Sequence, residues 1–248
     1  MQNDGIKKAL AFVTSAYGSY SGCRQYTEDI IRARDEAGVD IDIAKVRVFY
    51  NHPLFIKANA ENVEQGLNQF DQADRSQVAI AFSAHSIPQA MSESCAYAKQ
   101  LAETCALIAE TTHHPTYKLV YQSRSGPAAQ SWLEPDIRDH LRTLQSQGVS
   151  KVLVHPVGFL SDHIEIIYDL DTEAQALASL LGITLVRSKT VGSNKHFGKM
   201  MVDLIEERIK SDMGLEVDRP ALGSGPSPDV CSTECCAYTP PRPTSAAK

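Results

Sequence analysis

Three carboxylates, Glu165, Asp169 and Glu173, recur every fourth residue within the stretch 156–173. On a helix that spacing lines them along one face. Exposed like charges so placed repel by about 0.2–0.5 kcal/mol per pair, and Glu173 lies too deep for the N-terminal dipole to offset the repulsion. A cation is therefore expected beside them. Oxygen ligands in a row suit a divalent ion passed from one to the next. Asp162 stands where an N-cap belongs, and His163 adds a ligand or proton carrier. Ile164, Ile166 and Ile167 crowd the same turn with apolar bulk, so the charges cannot all share a wide polar face. The competing reading is a helix face that is simply acidic and solvated.

Two other stretches hold groups of chemical interest. Phe82-Ser-Ala-His-Ser-Ile-Pro88 follows an apolar run, and Ser83 and Ser86 could orient the His85 imidazole while Pro88 stiffens the loop. A hydrogen-bonded loop histidine is the plainer alternative. Gln122-Ser-Arg-Ser-Gly-Pro127 continues to Trp132-Leu-Glu-Pro135, and Trp132, the only tryptophan, is either a core anchor or a flat wall for an aromatic ligand. Of the six cysteines, Cys95 and Cys105 fall in a helical pattern and read as small buried residues. Cys231, Cys235 and Cys236 cluster in a tail with little other apolar content, where burial does not account for them, and Cys23 follows a glycine in a strand-to-helix loop.

These groups need elements to hold them. Apolar runs at 6–16, 43–50, 78–82, 117–122, 151–155 and 183–187 read as strands. Amphipathic patterns at 24–37, 59–70, 93–112, 136–147, 162–181 and 194–210 read as helices. Strands alternating with helices imply an α/β chain of parallel sheets wound by right-handed crossovers. In such sheets ligands bind beyond the carboxyl ends of the strands, where His85, Trp132 and Glu165 fall. The break in the alternation near 52–77 marks the expected domain crossover, and from Leu215 onward the chain is rich in Pro, Gly, Ser and Thr, an extended tail.

Composition narrows the function. A chain of 248 residues can bury a full core, and 43% hydrophobic with 22% charged residues is ordinary for a globular protein. A net charge of −6 argues against a nucleic-acid partner. No apolar run is long enough for a transmembrane helix, and a cytoplasmic location is expected. Six cysteines do not make a disulfide scaffold, and neither GxGxxG nor a P-loop occurs.

Together, Phe82–Pro88, Gln122–Pro127 with Trp132–Pro135, and Gly158-Phe-Leu-Ser-Asp-His-Ile-Glu165 resemble the three cleft motifs of the ferrochelatases, which insert ferrous iron into a porphyrin. The resemblance extends over roughly residues 5–210 and implies two Rossmann-like wound parallel-sheet domains of chelatase type. Residues 1–58 would be the remainder of an incomplete first domain, 59–214 the second with the main catalytic loops, and 215–248 a Cys-containing tail. It implies that His85 is the metal-facing histidine and proton acceptor on one side of the porphyrin and Glu165 the carboxylate facing it from the other. Asp169 and Glu173 continue the metal path from Glu165 toward solvent, Asp162 and His163 order the loop, and Ser123, Arg124 and Trp132 contact the substrate. Metallation removes two pyrrole protons and strips water from the ion, which asks for a base of near-neutral pKa and oxygen ligands of graded hold.

Cys23, Cys231, Cys235 and Cys236 resemble the one internal and three tail cysteines that hold a [2Fe–2S] cluster in some ferrochelatases. The spacing CSTECC is not specific, so zinc or no metal stays open. Against the family pattern the chain starts inside the first domain, so an early strand and its Tyr-containing loop are expected to be missing, through a fragment or a start at an internal Met. The expected partners are a porphyrin, protoporphyrin IX or coproporphyrin III, and ferrous iron, with a homodimer as one expected form. Two rival readings stay open: a related cobalt or nickel tetrapyrrole chelatase, with histidines in place of the Glu165 series, and a non-catalytic porphyrin- or haem-binding fragment.

Overall fold

The apolar runs form parallel strands in two sheets, in a computed structural model that describes residues 1–126 and 129–239. β1 (Lys8–Ala11) pairs with β2 (Asp42–Lys45), joined through a wide i→i+5 helical turn at Tyr20–Arg24 and helix α1 (Gln25–Ala37). The second sheet has the order β4-β3-β5-β6, from β3 (Ala79–His85), β4 (Tyr117–Gln122), β5 (Lys151–His155) and β6 (Thr184–Arg187). All of its pairs are parallel, and β3 at its centre is buried on both faces, as a wound sheet covered by helices requires.

Helices α2 (Pro53–Leu67) and α4 (Tyr97–Thr111) cover one face of this sheet, with α8 (Lys195–Asp212) packed against α2, and α5 (Ile137–Ser146) and α7 (Gln175–Leu180) cover the other. One apolar core therefore runs from Tyr17, Phe49 and Phe55 through Phe82 and Leu153 to Phe197 and Leu204. A smaller one joins Val120, Leu141, Val154, Ile166 and Leu170.

Several elements differ from their sequence reading. The strands expected at 6–16 and 43–50 are four residues each: the pairing ends where the Val46 N–H donates to the Ala11 carbonyl at 3.2 Å, and Phe49 leaves the strand to enter the core. The helix expected at 59–70 starts at Pro53 under a His52 cap, so the expected division at 58/59 falls inside α2. The pattern at 93–112 splits into α3 (Gln89–Glu93) and α4, and 162–181 into α6 (Ile164–Tyr168), a wide i→i+5 turn at Asp169–Ala174, and α7. The tail is extended as expected, with 240–248 outside the described residues.

A fully buried histidine ties the sheet to α2. His155 Nε2–H donates to Asn59 Oδ1 at 2.8 Å, and Nδ1 accepts from Ser188 Oγ at 2.6 Å, so the ring is neutral. Burial pushes its pKa down to about 3, and burial with the nearby Arg47 charge pushes His52 down to about 4. The unfolded chain takes up these protons below about pH 6.5 while the folded chain refuses them, so stability is complete above that pH and falls as pH drops toward the folded values. From pH 7 to pH 5 each ring should cost about 2 kcal/mol of unfolding free energy. Urea unfolding at the two pH values measures this, and equal stability would contradict it.

Candidate active site

Three strand ends converge at the carboxyl edge of the four-stranded sheet. β3 delivers His85, β4 runs on to Ser123, and β5 leads into the turn before α6. That turn passes very close to β3: a Cβ on Gly158 would lie 2.6 Å from Ala84 Cβ and 2.7 Å from its Cα, so only glycine fits, and its N–H donates to the Ser83 carbonyl at 3.0 Å.

The His85 loop is held rather than free. The Tyr97 hydroxyl donates to the His85 carbonyl at 2.9 Å, and Ser86 donates its N–H to the Gln122 carbonyl at 2.8 Å and its hydroxyl to the Leu133 carbonyl at 2.9 Å. His85 Nδ1 meets the Ser86 carbonyl at 2.5 Å, which requires the proton on Nδ1 and leaves the Nε2 lone pair pointing outward. Nε2 lies 3.7 Å from Glu165 Oε1, with each side chain about one-third exposed. The expectation sets the two groups across a flat ring from one another; groups sandwiching a planar macrocycle stand about 7 Å apart, twice an ordinary van der Waals separation, and in this structure the pair is closer than that.

Each carboxylate of the series has its own partner. Glu165 faces His85, Asp169 accepts a short hydrogen bond from Ser123 Oγ, and Glu173 lies 3.4 Å from Arg138 Nη1. Ser123 adopts φ 60°, a left-handed conformation uncommon outside glycine, which turns its hydroxyl to Asp169. The wide turn beginning at Asp169 is a form that recurs at functional sites. Arg138 is the cation that the repulsion among the three carboxylates calls for.

Asp162 does not cap the helix. His163 does, accepting from the Glu165 N–H at 3.3 Å, because Asp162 is taken by Arg187 Nη1 at 3.0 Å and the Thr190 hydroxyl at 2.9 Å. Arg187 also pairs with Asp171 at 2.8 Å, fixing the turn to the end of β6. Gln122 Nε2 donates to the Glu165 carbonyl at 3.0 Å. The sequence reading missed Arg138, Arg187 and Tyr97, since their spacing from the motifs carries no local signal.

A cavity of about 530 Å³ opens beside His85, within the range of small-molecule sites. Trp132, Tyr17, Tyr20, Met91 and Tyr238 line it with His85. The Trp132 ring packs over Gly126, and its indole N–H is buried without a hydrogen-bond partner among the described residues. Ser125 and Gln130 of the same loop line the cavity, whereas Ser123 is turned to Asp169 and Arg124 Nη2 donates to the Gln130 carbonyl at 3.3 Å. Pro127 lies outside the described residues.

The four cysteines singled out in the sequence, Cys23, Cys231, Cys235 and Cys236, line a second cavity of about 550 Å³ between α1, β2 and the tail. Lys45 Nζ donates to Cys23 Sγ at 2.9 Å, and Cys235 and Cys236 Sγ are 3.6 Å apart. Burial, with the neighbouring Cys235, pushes the Cys231 thiol up to about 11 and Cys236 up to about 12. Thiols that resist ionising beside one another are a donor set that a bound cation would relieve. Among the described residues no group of three or more His, Cys, Asp or Glu side chains is already closed around an ion position.

Comparison with known proteins agrees with this geometry. The family model described as Ferrochelatase matches residues 1–209. The ferrochelatase of Rhodopirellula baltica is 43% identical over 99% of this chain and 70% of its own length. The coproporphyrin III ferrochelatase of Mycolicibacterium vanbaalenii is 41% identical over 95% of this chain and 71% of its own. In fold, the chain is similar to SirB from Bacillus subtilis with Fe3+, at TM-score 0.61 and 11% identity over 88% of this chain and 78% of that one. The architecture is thus the Rossmann-like chelatase fold.

Proposed function

The chain belongs to the ferrochelatase family, which inserts Fe2+ into a porphyrin in haem biosynthesis, and on that premise we propose that His85 and Glu165 carry the insertion from one face of the macrocycle. The observation that supports this most is the 3.7 Å separation of His85 Nε2 and Glu165 Oε1 beside an aromatic-lined cavity. In the neutral ring, whose Nδ1–H donates to the Ser86 carbonyl, His85 Nε2 takes a proton from a pyrrole nitrogen. Glu165 takes that proton on, or receives the cation, and Asp169 and Glu173 extend the path outward. Arg138 beside Glu173 keeps the outer end from binding the ion too tightly. Two pyrrole protons leave as one Fe2+ enters, His85 passing the first to Glu165 before taking the second, so charge balances at the ring. Carboxylates occupy the positions where the cobalt or nickel reading asks for histidines.

Coproporphyrin III is the macrocycle this reading favours. Relatives bearing that name are 39–41% identical to this chain, and the polar side chains Ser21, Gln25, Ser125 and Gln130 on the cavity wall can donate to its additional carboxylates. Anaerobic iron insertion followed in the Soret band, with coproporphyrin III and protoporphyrin IX in parallel, tests both levels. Faster insertion into coproporphyrin III is expected. Equal rates remove the substrate assignment, and no insertion into either removes the mechanism.

Cys23, Cys231, Cys235 and Cys236, which line one cavity, are the candidate ligands of a [2Fe–2S] cluster, which would supply a four-point staple between the tail and the Cys23 turn. Lys45 would balance part of the thiolate charge. Reconstituted chain should retain iron and labile sulfide in equal amounts with visible absorbance, and Cys231→Ser should lose both. Zinc retained without sulfide would overturn the cluster in favour of a mononuclear site.

A further inference from the structure

The tail reaches the first cavity as well as the second. Tyr238 lies two residues beyond Cys236, is half-buried, and lines the cavity that contains His85. Its ring packs edge-on against Tyr20 with centroids 6.0 Å apart, and Tyr20 lines the same cavity. Tyr20 is in turn fixed by its hydroxyl, which donates to Glu28 at 3.2 Å.

Two features bring Tyr238 there. Arg24 Nη1 donates to the carbonyls of Thr233 at 2.6 Å and Cys235 at 3.0 Å, which clamps the tail backbone against the start of α1. Cys236, buried, adopts φ 56°, so the chain reverses at that residue and returns toward the cleft.

From this we infer that Tyr238 is a substrate-positioning residue: its ring, held edge-on against Tyr20, forms part of the wall against which the porphyrin rests. The inference rests on reading the cavity as the porphyrin site. An aromatic ring offers an apolar surface to a planar macrocycle, opposite in character to the polar His85 and Glu165. Because Tyr238 touches none of the reacting atoms, its contribution is uniform binding, equal in ground and transition states.

The test is porphyrin affinity by fluorescence quenching together with steady-state iron insertion, on the full chain. Tyr238→Ala should raise both Kd and KM for porphyrin about tenfold with kcat within about twofold, and Tyr238→Phe should behave as the unsubstituted chain, since the ring and not the hydroxyl is used. Trp132→Ala serves as the cavity control. An unchanged Kd in Tyr238→Ala, with Trp132→Ala weakened, overturns this inference alone. A fall in kcat and Tm with no selective loss of affinity overturns it in favour of a packing role. If the unsubstituted chain binds no porphyrin, the reading of the cavity itself has failed.

Discussion

Replacing Glu165 by Gln is expected to lower kcat for iron insertion by about 10²–10³-fold, and His85→Ala by a similar factor, with the KM for porphyrin changed little. The amide keeps the shape of the side chain but neither accepts a proton nor offers a charge to the cation. The imidazole Nε2 lies 3.7 Å from that carboxylate. Groups that hand one proton between them act as a unit, so the double substitution should cost about as much as the worse single one instead of the product of the two. Both side chains are about one-third exposed, so Tm should stay within a few degrees and the loss will not reflect unfolding. Anaerobic initial rates on the three variants decide the matter. A Glu165→Gln variant that inserts iron at the unsubstituted rate removes Glu165 from the mechanism, and multiplicative losses remove the pairing with His85.

Glu207→Ala carries the largest expected effect on stability. Arg47 is fully buried and donates Nε to Glu207 Oε1 at 2.7 Å and Nη2 to Oε2 at 3.0 Å, a bidentate pair joining the end of β2 to α8. Nη2 also donates to the Pro220 carbonyl at 3.1 Å. Removing the carboxylate leaves a guanidinium charge in the interior, at a cost of about 3–5 kcal/mol. For a chain of this size that corresponds to a fall in Tm of about 10 °C.

The damage should spread to the tail. Glu207 is within 3.7 Å of Arg219, which pairs with Asp229 at 2.5 Å, and the Asn51 amide donates to the carbonyls of Leu222 and Gly225 at 2.8 Å. Limited proteolysis should therefore cut the variant after residue 214 before it cuts the sheets. Substituting both partners with apolar residues of similar volume, Arg47→Met with Glu207→Leu, should recover most of the loss, because the cost lies in the unpaired charge and not in the missing pair. A Glu207→Ala variant as stable as its parent would show that water or rearrangement reaches Arg47.

The parts of the site that were legible in the sequence are those encoded by neighbours along the chain. His85, Trp132 and Glu165 sit in motifs placed at strand ends, and the strand and helix periodicity that put them at one sheet edge is a local property. The acidic series was visible from its four-residue spacing, and so was its need for a cation. The identity of that cation was not, because Arg138 lies 35 residues before Glu173 and meets it only through the packing of α5 beside the wide turn. The N-cap was misassigned for a related reason. Asp162 is the better capping residue by type, but its carboxylate is claimed by Arg187 and Thr190, which only the fold brings near.

By itself, the sequence determined the alternating α/β order, the parallel sheets, the three cleft motifs and the clustering of three cysteines in the tail. Periodicity, turn residues and charge spacing act over a few residues, and they are written wherever the chain is read. Tertiary structure alone decided that His85 and Glu165 lie 3.7 Å apart, that Ser123 serves Asp169, that four cysteines line one cavity, and that Tyr238 reaches the other. Those outcomes depend on contacts between segments tens to hundreds of residues apart, whose geometry is set by how the sheets and helices pack and not by the spacing of residues along the chain.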